Sequence, residues 1–76
     1  MSKQMLYSKK WCGVDEQTVY RTVMMPGNKR VHKLLSEKEW RSWGIQMSLG
    51  WIHILNWEDG LVLLFKKPRD PTELCE

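Results

Sequence analysis

The sequence predicts an α+β domain, a four-stranded antiparallel sheet with two short helices between the second and third strands. Three observations carry that reading. Ser36-Glu37-Lys38-Glu39 is a capping-box pattern that opens a helix, with Trp40 and Trp43 three apart on one face and Gly44 just past its end. Trp51–Asn56 alternates and is rich in β-branched and aromatic residues, and Leu61–Phe65 is a short continuous apolar run. Between them, Asp59-Gly60 suits the positive φ of hairpin turns that match strand twist.

The rest of the chain is placed around this unit. Lys3–Ser8 reads as a short first strand with weak alternation, and Lys9–Asp15, with Gly13, as a loop. Gln17–Met25 is a stronger strand. Its alternation puts Thr18, Tyr20, Thr22 and Met24 on one face and Val19, Arg21, Val23 and Met25 on the other. Arg21 is the odd member of its set: it reaches the rim of the sheet or it faces a site. Pro26-Gly27 ends the strand, and Val31, Leu34 and Leu35 then recur at helical spacing, predicting a helix from near Asn28 to Leu35 with His32 pointing to solvent. Beyond Pro68 the segment Arg69–Glu76 has no periodicity and reads as a frayed tail. The organisation is one domain over residues 1–69 and a flexible tail over 70–76.

Seventy-six residues must build their core economically, and five Trp and five Met supply large buried area per residue. No apolar run approaches the roughly 18 residues of a membrane span, and no basic-then-apolar leader is present, so no membrane partner is expected. Cys12 and Cys75 are far apart, and no ligand set for a metal or cofactor surrounds them. Two free thiols in a reducing compartment are expected over a single disulfide tying the tail, which places the chain in cytoplasm and nucleus. The net charge of +3 permits an anionic partner without demanding one. Lysines at strand ends also serve as solvent-facing edge protection, the plain alternative for each of them.

No catalytic arrangement is expected. His53 lies in a strand, neither cysteine has an activating neighbourhood, and no Gly-rich phosphate loop occurs. Glu37/Glu39 and Glu58/Asp59 sit at a helix start and a turn tip, where acids belong on structural grounds. More informative is the recurrence of cations and donors at element ends: Lys10, Arg21, Ser48, Trp51 and Lys66-Lys67. Two or three cations, a hydroxyl and an indole N–H suit a phosphate monoester, which needs charge and several fixed donors. The sequence by itself leaves their convergence open.

Five ordered blocks carry a resemblance. They are Tyr7–Trp11 (YSKKW), Tyr20–Pro26 (YRTVMMP), Leu35–Arg41 (LSEKEWR), Gly44–His53 (GIQMSLGWIH) and Leu63–Pro68 (LLFKKP). Over about Gln4 to Pro68 the chain resembles the cyclin-dependent kinase regulatory subunits (Cks proteins), whose pattern is YSxKY, YRHVxLP, SExEWR, GVQQSxGWxHY and LLFRRP. The resemblance implies a non-catalytic cell-cycle adaptor without cofactor. One surface binds the C-terminal lobe of a cyclin-dependent kinase, and a separate pocket takes phosphothreonine or phosphoserine before proline. The pocket positions correspond here to Lys10, Arg21, Ser48, Trp51 and Lys67. At Lys67 the family usually has Arg, so a two-pronged donor is replaced by a point charge. The kinase surface corresponds to Ile54, Leu55, Asn56, Trp57 and Glu58. The family's HxPEPH hinge is replaced by the shorter, proline-free Asn56–Val62, which implies a closed hairpin and a mostly monomeric protein. An alternative of another class is a single-stranded nucleic-acid binder stacking bases on Trp11, Trp51 or Trp57 beside the lysines.

Overall fold

In a computed structural model of the protein, which describes residues 5–72, the strand over Thr18–Met24 pairs along its whole length with Val62–Pro68. The described elements are β1 (Leu6–Tyr7), β2 (Trp11–Cys12), β3 (Thr18–Met24), α1 (Glu37–Ser42), β4 (Ile52–Trp57) and β5 (Val62–Pro68). All pairings are antiparallel and the sheet order is β1-β3-β5-β4, with β2 also on β3. The architecture is α+β as predicted, but among the described residues it has five strands and one helix. The predicted loop over Lys9–Asp15 contains β2. Together β1 and β2 form one interrupted edge: Tyr7 faces Val23 and Trp11 faces Tyr20. Part of the predicted first strand, Lys3–Gln4, and the tail end Glu73–Glu76 lie outside the described residues.

The helix forms where its caps predict. Ser36 Oγ accepts from the Glu39 backbone N–H at 3.2 Å, and Glu39 Oε1 accepts from the Ser36 N–H at 3.0 Å. At the far end, Gly44 at φ +94° lets its own N–H reach the Arg41 carbonyl and the Ile45 N–H reach the Trp40 carbonyl. Trp40 is fully buried and meets Phe65 edge-on, with ring centroids 5.6 Å apart. That contact puts α1 on the sheet face carrying Val19, Val23, Leu63 and Phe65, which form the core with Ile45, Val31 and Leu35.

The second predicted helix, Asn28–Leu35, does not form; the segment is an irregular strap. Its backbone finds tertiary partners instead of helical ones. The Val31 N–H donates to the Gly60 carbonyl at 3.0 Å, and the Leu35 N–H donates to His53 Nδ1 at 2.8 Å. Val31 and Leu35 are buried as the periodicity requires, while Leu34 is exposed. Tertiary pairing thus overrides a weak local preference.

The strap clamps the β4–β5 turn, Glu58–Leu61. Glu58, Asp59 and Gly60 all have positive φ (53°, 56° and 86°). His32 Nε2 lies 3.0 Å from the Asp59 carbonyl oxygen, and a Cβ on Gly60 would sit 2.4 Å from the Val31 carbonyl oxygen. A β-bulge between His53 and Leu55 shifts the register of β4, so His53 and Asn56, three apart, share the core face. Since Nδ1 accepts from Leu35, Nε2 carries the proton and donates to Asn56 Oδ1 at 2.5 Å; Asn56 Nδ2 donates onward to the Lys33 carbonyl at 3.1 Å.

Cys12 is disulfide-bonded, against the expectation of free thiols. Cys75 lies outside the described residues.

Gly60→Ala adds a Cβ against backbone at a positive φ and should destabilise the protein by about 2–3 kcal/mol in urea unfolding. His53 is 3% exposed, and burial holds its pKa below the ordinary 6.5. Below that pH the unfolded chain takes up a proton that the fold refuses. Stability should therefore be level above pH 6.5 and fall as pH drops through it, by at most about 1.4 kcal/mol per unit from this group. His53→Gln should remove that share of the slope. Glu39, held at about 2 by the Lys33 ammonium and the Ser36 N–H, adds a separate loss only as pH falls from 4.5 toward 2.

Candidate functional site

The site is built on the core face of the sheet, where β3 and β5 carry basic residues into an apolar set. Register pairs Val19 with Lys67 and Arg21 with Phe65, so the two cations share that face on adjacent strands. Arg21 is half-buried. Its Nε donates to the Ser8 carbonyl at 3.0 Å, and its guanidinium carbon lies 5.9 Å from the centre of the Tyr7 ring. The guanidinium is thereby oriented from both sides while its terminal nitrogens keep donor capacity.

The next strand supplies the neutral donors. Trp51 directly precedes β4 and is 3% exposed, with its Nε1–H donating to Ser48 Oγ at 3.2 Å. That bond occupies a lone pair of the hydroxyl and leaves its proton to donate outward. Gly50, at φ +96°, shapes the turn that brings Ser48 back over Trp51. Lys67 Nζ sits 5.3 Å from the centre of the Trp51 ring, a cation–π distance. Trp51 therefore joins Ser48 on one side to Lys67 on the other, and Arg21 lies on the same sheet face as Lys67.

Lys10 comes from the interruption of the edge strand. The Ser8 N–H donates to the Thr22 carbonyl at 3.0 Å and Trp11 pairs with Tyr20, so Lys9 and Lys10 together oppose Arg21. Two residues against one is a bulge, which sets a half-buried Lys10 beside Arg21 in the register. Ser8 and Tyr7, which orient Arg21, carried no signal of that role in the sequence. Neither did Arg41, whose Nη2 lies 3.4 Å from the Ser48 carbonyl. Its charge is already engaged by Glu37 at 2.9 Å and by the Trp40 ring at 4.5 Å.

The opposite sheet face has no helix on it among the described residues. Register aligns Leu6, Met24, Val62 and Trp57 in one row across four strands. Thr22, Leu64 and Leu55 form the next, and Trp11, Tyr20, Lys66 and Ile52 the third. Leu6 (62% exposed), Ile52 (53%), Leu55 (43%) and Trp57 (43%) make this an open apolar surface. Of the five residues predicted for kinase binding, Leu55 and Trp57 belong to it. Ile54 is half-buried at the bulge, Asn56 faces the core bonded to His53, and Glu58 stands exposed in the turn. The rows on β1, β2 and β3 were not singled out in the sequence.

The nucleic-acid alternative gains nothing from this arrangement. Trp51 is buried beneath Lys67, while Trp11, stacked on Tyr20, and Trp57 lie on the other face. The three indoles do not form one stacking platform.

Comparison with known proteins agrees with the blocks. Residues 5–69 match the model of the family described as cyclin-dependent kinase regulatory subunit. A "Cyclin-dependent kinases regulatory subunit" of Drosophila melanogaster is 45% identical over 74 residues, covering 91% of this chain and 97% of the relative. The "Cyclin-dependent kinases regulatory subunit 2" of Xenopus laevis is 45% identical over 71 residues, covering 87% of each chain. A relative in Patella vulgata, with the same name as the Drosophila protein, is 45% identical over 71 residues, 87% of this chain and 91% of its own. With the family match spanning nearly all described residues, the chain belongs to the cyclin-dependent kinase regulatory subunit (Cks) family.

Proposed function

We propose that this protein is a non-catalytic regulatory subunit that docks on a cyclin-dependent kinase and captures phosphorylated partner proteins, acting in cell-cycle control. The observation that carries the reading is the two-sidedness of the sheet. Cations and donors cluster on the core face around Ser48, Trp51 and Lys67, while an apolar surface lies open on the other face. One sheet can then hold a kinase and a phosphorylated chain at once. A protein phosphorylated at one site is kept near the kinase at raised effective concentration, and its further sites are modified faster.

The ligand of the basic face is phosphothreonine or phosphoserine followed by proline. Arg21, Lys10 and Lys67 supply charge, and the Ser48 hydroxyl supplies a directed donor held in place by Trp51. With Lys at position 67, one of the three cations acts as a point charge and not as a fork. The kinase, through its C-terminal lobe, takes the open face around Leu55 and Trp57, with Glu58 at its edge. An apolar sheet surface flanked by charge has the make-up of a protein interface. The closed β4–β5 hairpin, clamped by the strap, supports a mostly monomeric protein.

A double dissociation tests both surfaces. Arg21→Ala or Lys10→Ala should weaken a phosphothreonine-proline peptide about tenfold to a hundredfold while kinase co-purification persists. Leu55→Glu should abolish kinase binding and leave the peptide affinity unchanged. Loss of both activities in either variant would assign these residues a structural role. Sedimentation of the parent protein should give a monomer mass; a strand-exchanged dimer as the main species would contradict the closed hairpin.

A further inference from the structure

Cys12 is disulfide-bonded, and the sequence holds one other cysteine, Cys75. The position of Cys12 gives that bond a consequence for the basic site. Register sets Cys12 against Val19 and Val19 against Lys67, so Cys12 and Lys67 share a row on the core face, one on each side of β3. With strands about 4.8 Å apart, their Cα atoms lie roughly 10 Å from each other. Arg21 is two residues along β3 from Val19, and Lys10 is two residues before Cys12. Both are within roughly 8 Å of Cys12, backbone to backbone. Cys12 is half-buried and packs against the core beside these cations.

The chain beyond β5 is led toward the same place. The Arg69 N–H donates to the Gln17 carbonyl at 2.9 Å, and its Nη1 donates to the Glu16 carbonyl at 3.2 Å. On the other edge of β3, the Gly13 N–H donates to the Thr18 carbonyl at 2.8 Å, so one strand width separates Arg69 from the end of β2. Asp70 then builds a turn, its Oδ1 accepting from the Thr72 N–H at 2.9 Å and the Thr72 hydroxyl at 2.7 Å. Those bonds hold its carboxyl below the ordinary 3.8, and the Lys67 ammonium adds to the effect. Cys75 comes six residues after Arg69, a length that spans up to about 20 Å and so leaves slack for the turn. The stretch over 70–76 has acids on both sides of that cysteine, Glu73 and Glu76, and no base.

We propose that Cys75 is the partner of Cys12, and that the bond ties the acidic stretch over 70–76 across the basic site as a built-in competitor of phosphate. The inference rests on the phosphate reading above. A carboxylate is a weaker ligand than a phosphate for the same cations, but tethering raises its effective concentration. The bond forms by exchange with a small-molecule disulfide: two cysteine thiols are oxidised, one protein S–S bond is made, and two small thiols leave. A dithiol reverses the step, taking up the disulfide as its own cyclic S–S bond and returning two cysteine thiols. Reduction frees the stretch and opens the site, so phosphate reading is switched on by reducing conditions.

The test uses the full chain, oxidised with glutathione disulfide and, in parallel, reduced with dithiothreitol. Peptide mapping of the oxidised protein should find Cys12 and Cys75 joined within one chain. A phosphothreonine-proline peptide, followed by fluorescence anisotropy, should bind about tenfold more tightly after reduction. Cys75→Ser should bind like the reduced parent under both conditions. Glu73→Gln combined with Glu76→Gln should keep the bond and recover most of the gain without reductant, with thermal unfolding as the check on folding. Cysteines not joined to each other in the oxidised protein would overturn the tether. Equal phosphate-dependent affinity in the two redox states would overturn the competitor and leave the phosphate reading intact. A gain on reduction that the double Gln variant does not reproduce would overturn the role of the acids. Absence of phosphate-dependent binding in either state would overturn both readings.

Discussion

The register between β3 and β5 is the constraint on which the rest of the molecule depends. It sets Val19 against Lys67, Arg21 against Phe65 and Val23 against Leu63. A slip by one residue would turn every side chain to the other face, burying Thr22 and Lys66 and exposing Val23 and Phe65. In the observed register, two cations stand among buried apolar neighbours. Their desolvation is limited by position and by partners: Lys67 sits over the Trp51 ring near the end of β5, and Arg21 is held by the Ser8 carbonyl and the Tyr7 ring. The bulge at Lys9-Lys10 is what leaves the Ser8 carbonyl in reach of Arg21. The basic site is thus a consequence of pairing, with its geometry fixed before any ligand arrives.

The strap over residues 28–35 serves a second purpose. It covers one end of the core with Val31 and Leu35 and fastens the β4–β5 turn through Gly60, Asp59 and the His53–Asn56 bridge. The bulge in β4 makes this bridge possible by returning Asn56 to the core face. The same shift places Leu55 and Trp57 on the open face. One irregularity therefore both locks the hairpin and composes the apolar surface.

Local devices were legible in the sequence. The capping box, Gly44 past the helix end and the Asp59-Gly60 turn depend on neighbours within a few positions, and each stands where its residues predict. The misplacement of Arg21 in an apolar set was also visible, though the pattern by itself does not say whether it marks the rim of the sheet or a site. The strap was not, because the Val31 and Leu35 N–H groups bond to residues far along the chain, and helical spacing of apolar residues cannot report that. The open face was hidden in the continuous run Leu61–Phe65: buried Leu63 and Phe65 alternate with Val62 and Leu64, and only the pairing reveals that they point apart. β2 was masked by the lysines and Gly13 around it. The placement of the basic residues needed the fold, since Arg21 and Lys67 share a face only through the β3–β5 register and Ser48 is linked to Lys67 only through Trp51.

The central claim is that an anion is held on the core face of the sheet by Arg21, Ser48, Trp51 and Lys67. Titration with phosphothreonine followed by NMR tests it most directly, because indole and guanidinium N–H groups report on their own neighbourhoods. The account predicts saturable shifts of the Trp51 indole N–H and the Arg21 Nε–H, with Trp11 and Trp57 on the opposite face unmoved. Shifts confined to Trp11 and Trp57, or no saturable shift at Trp51, would contradict it.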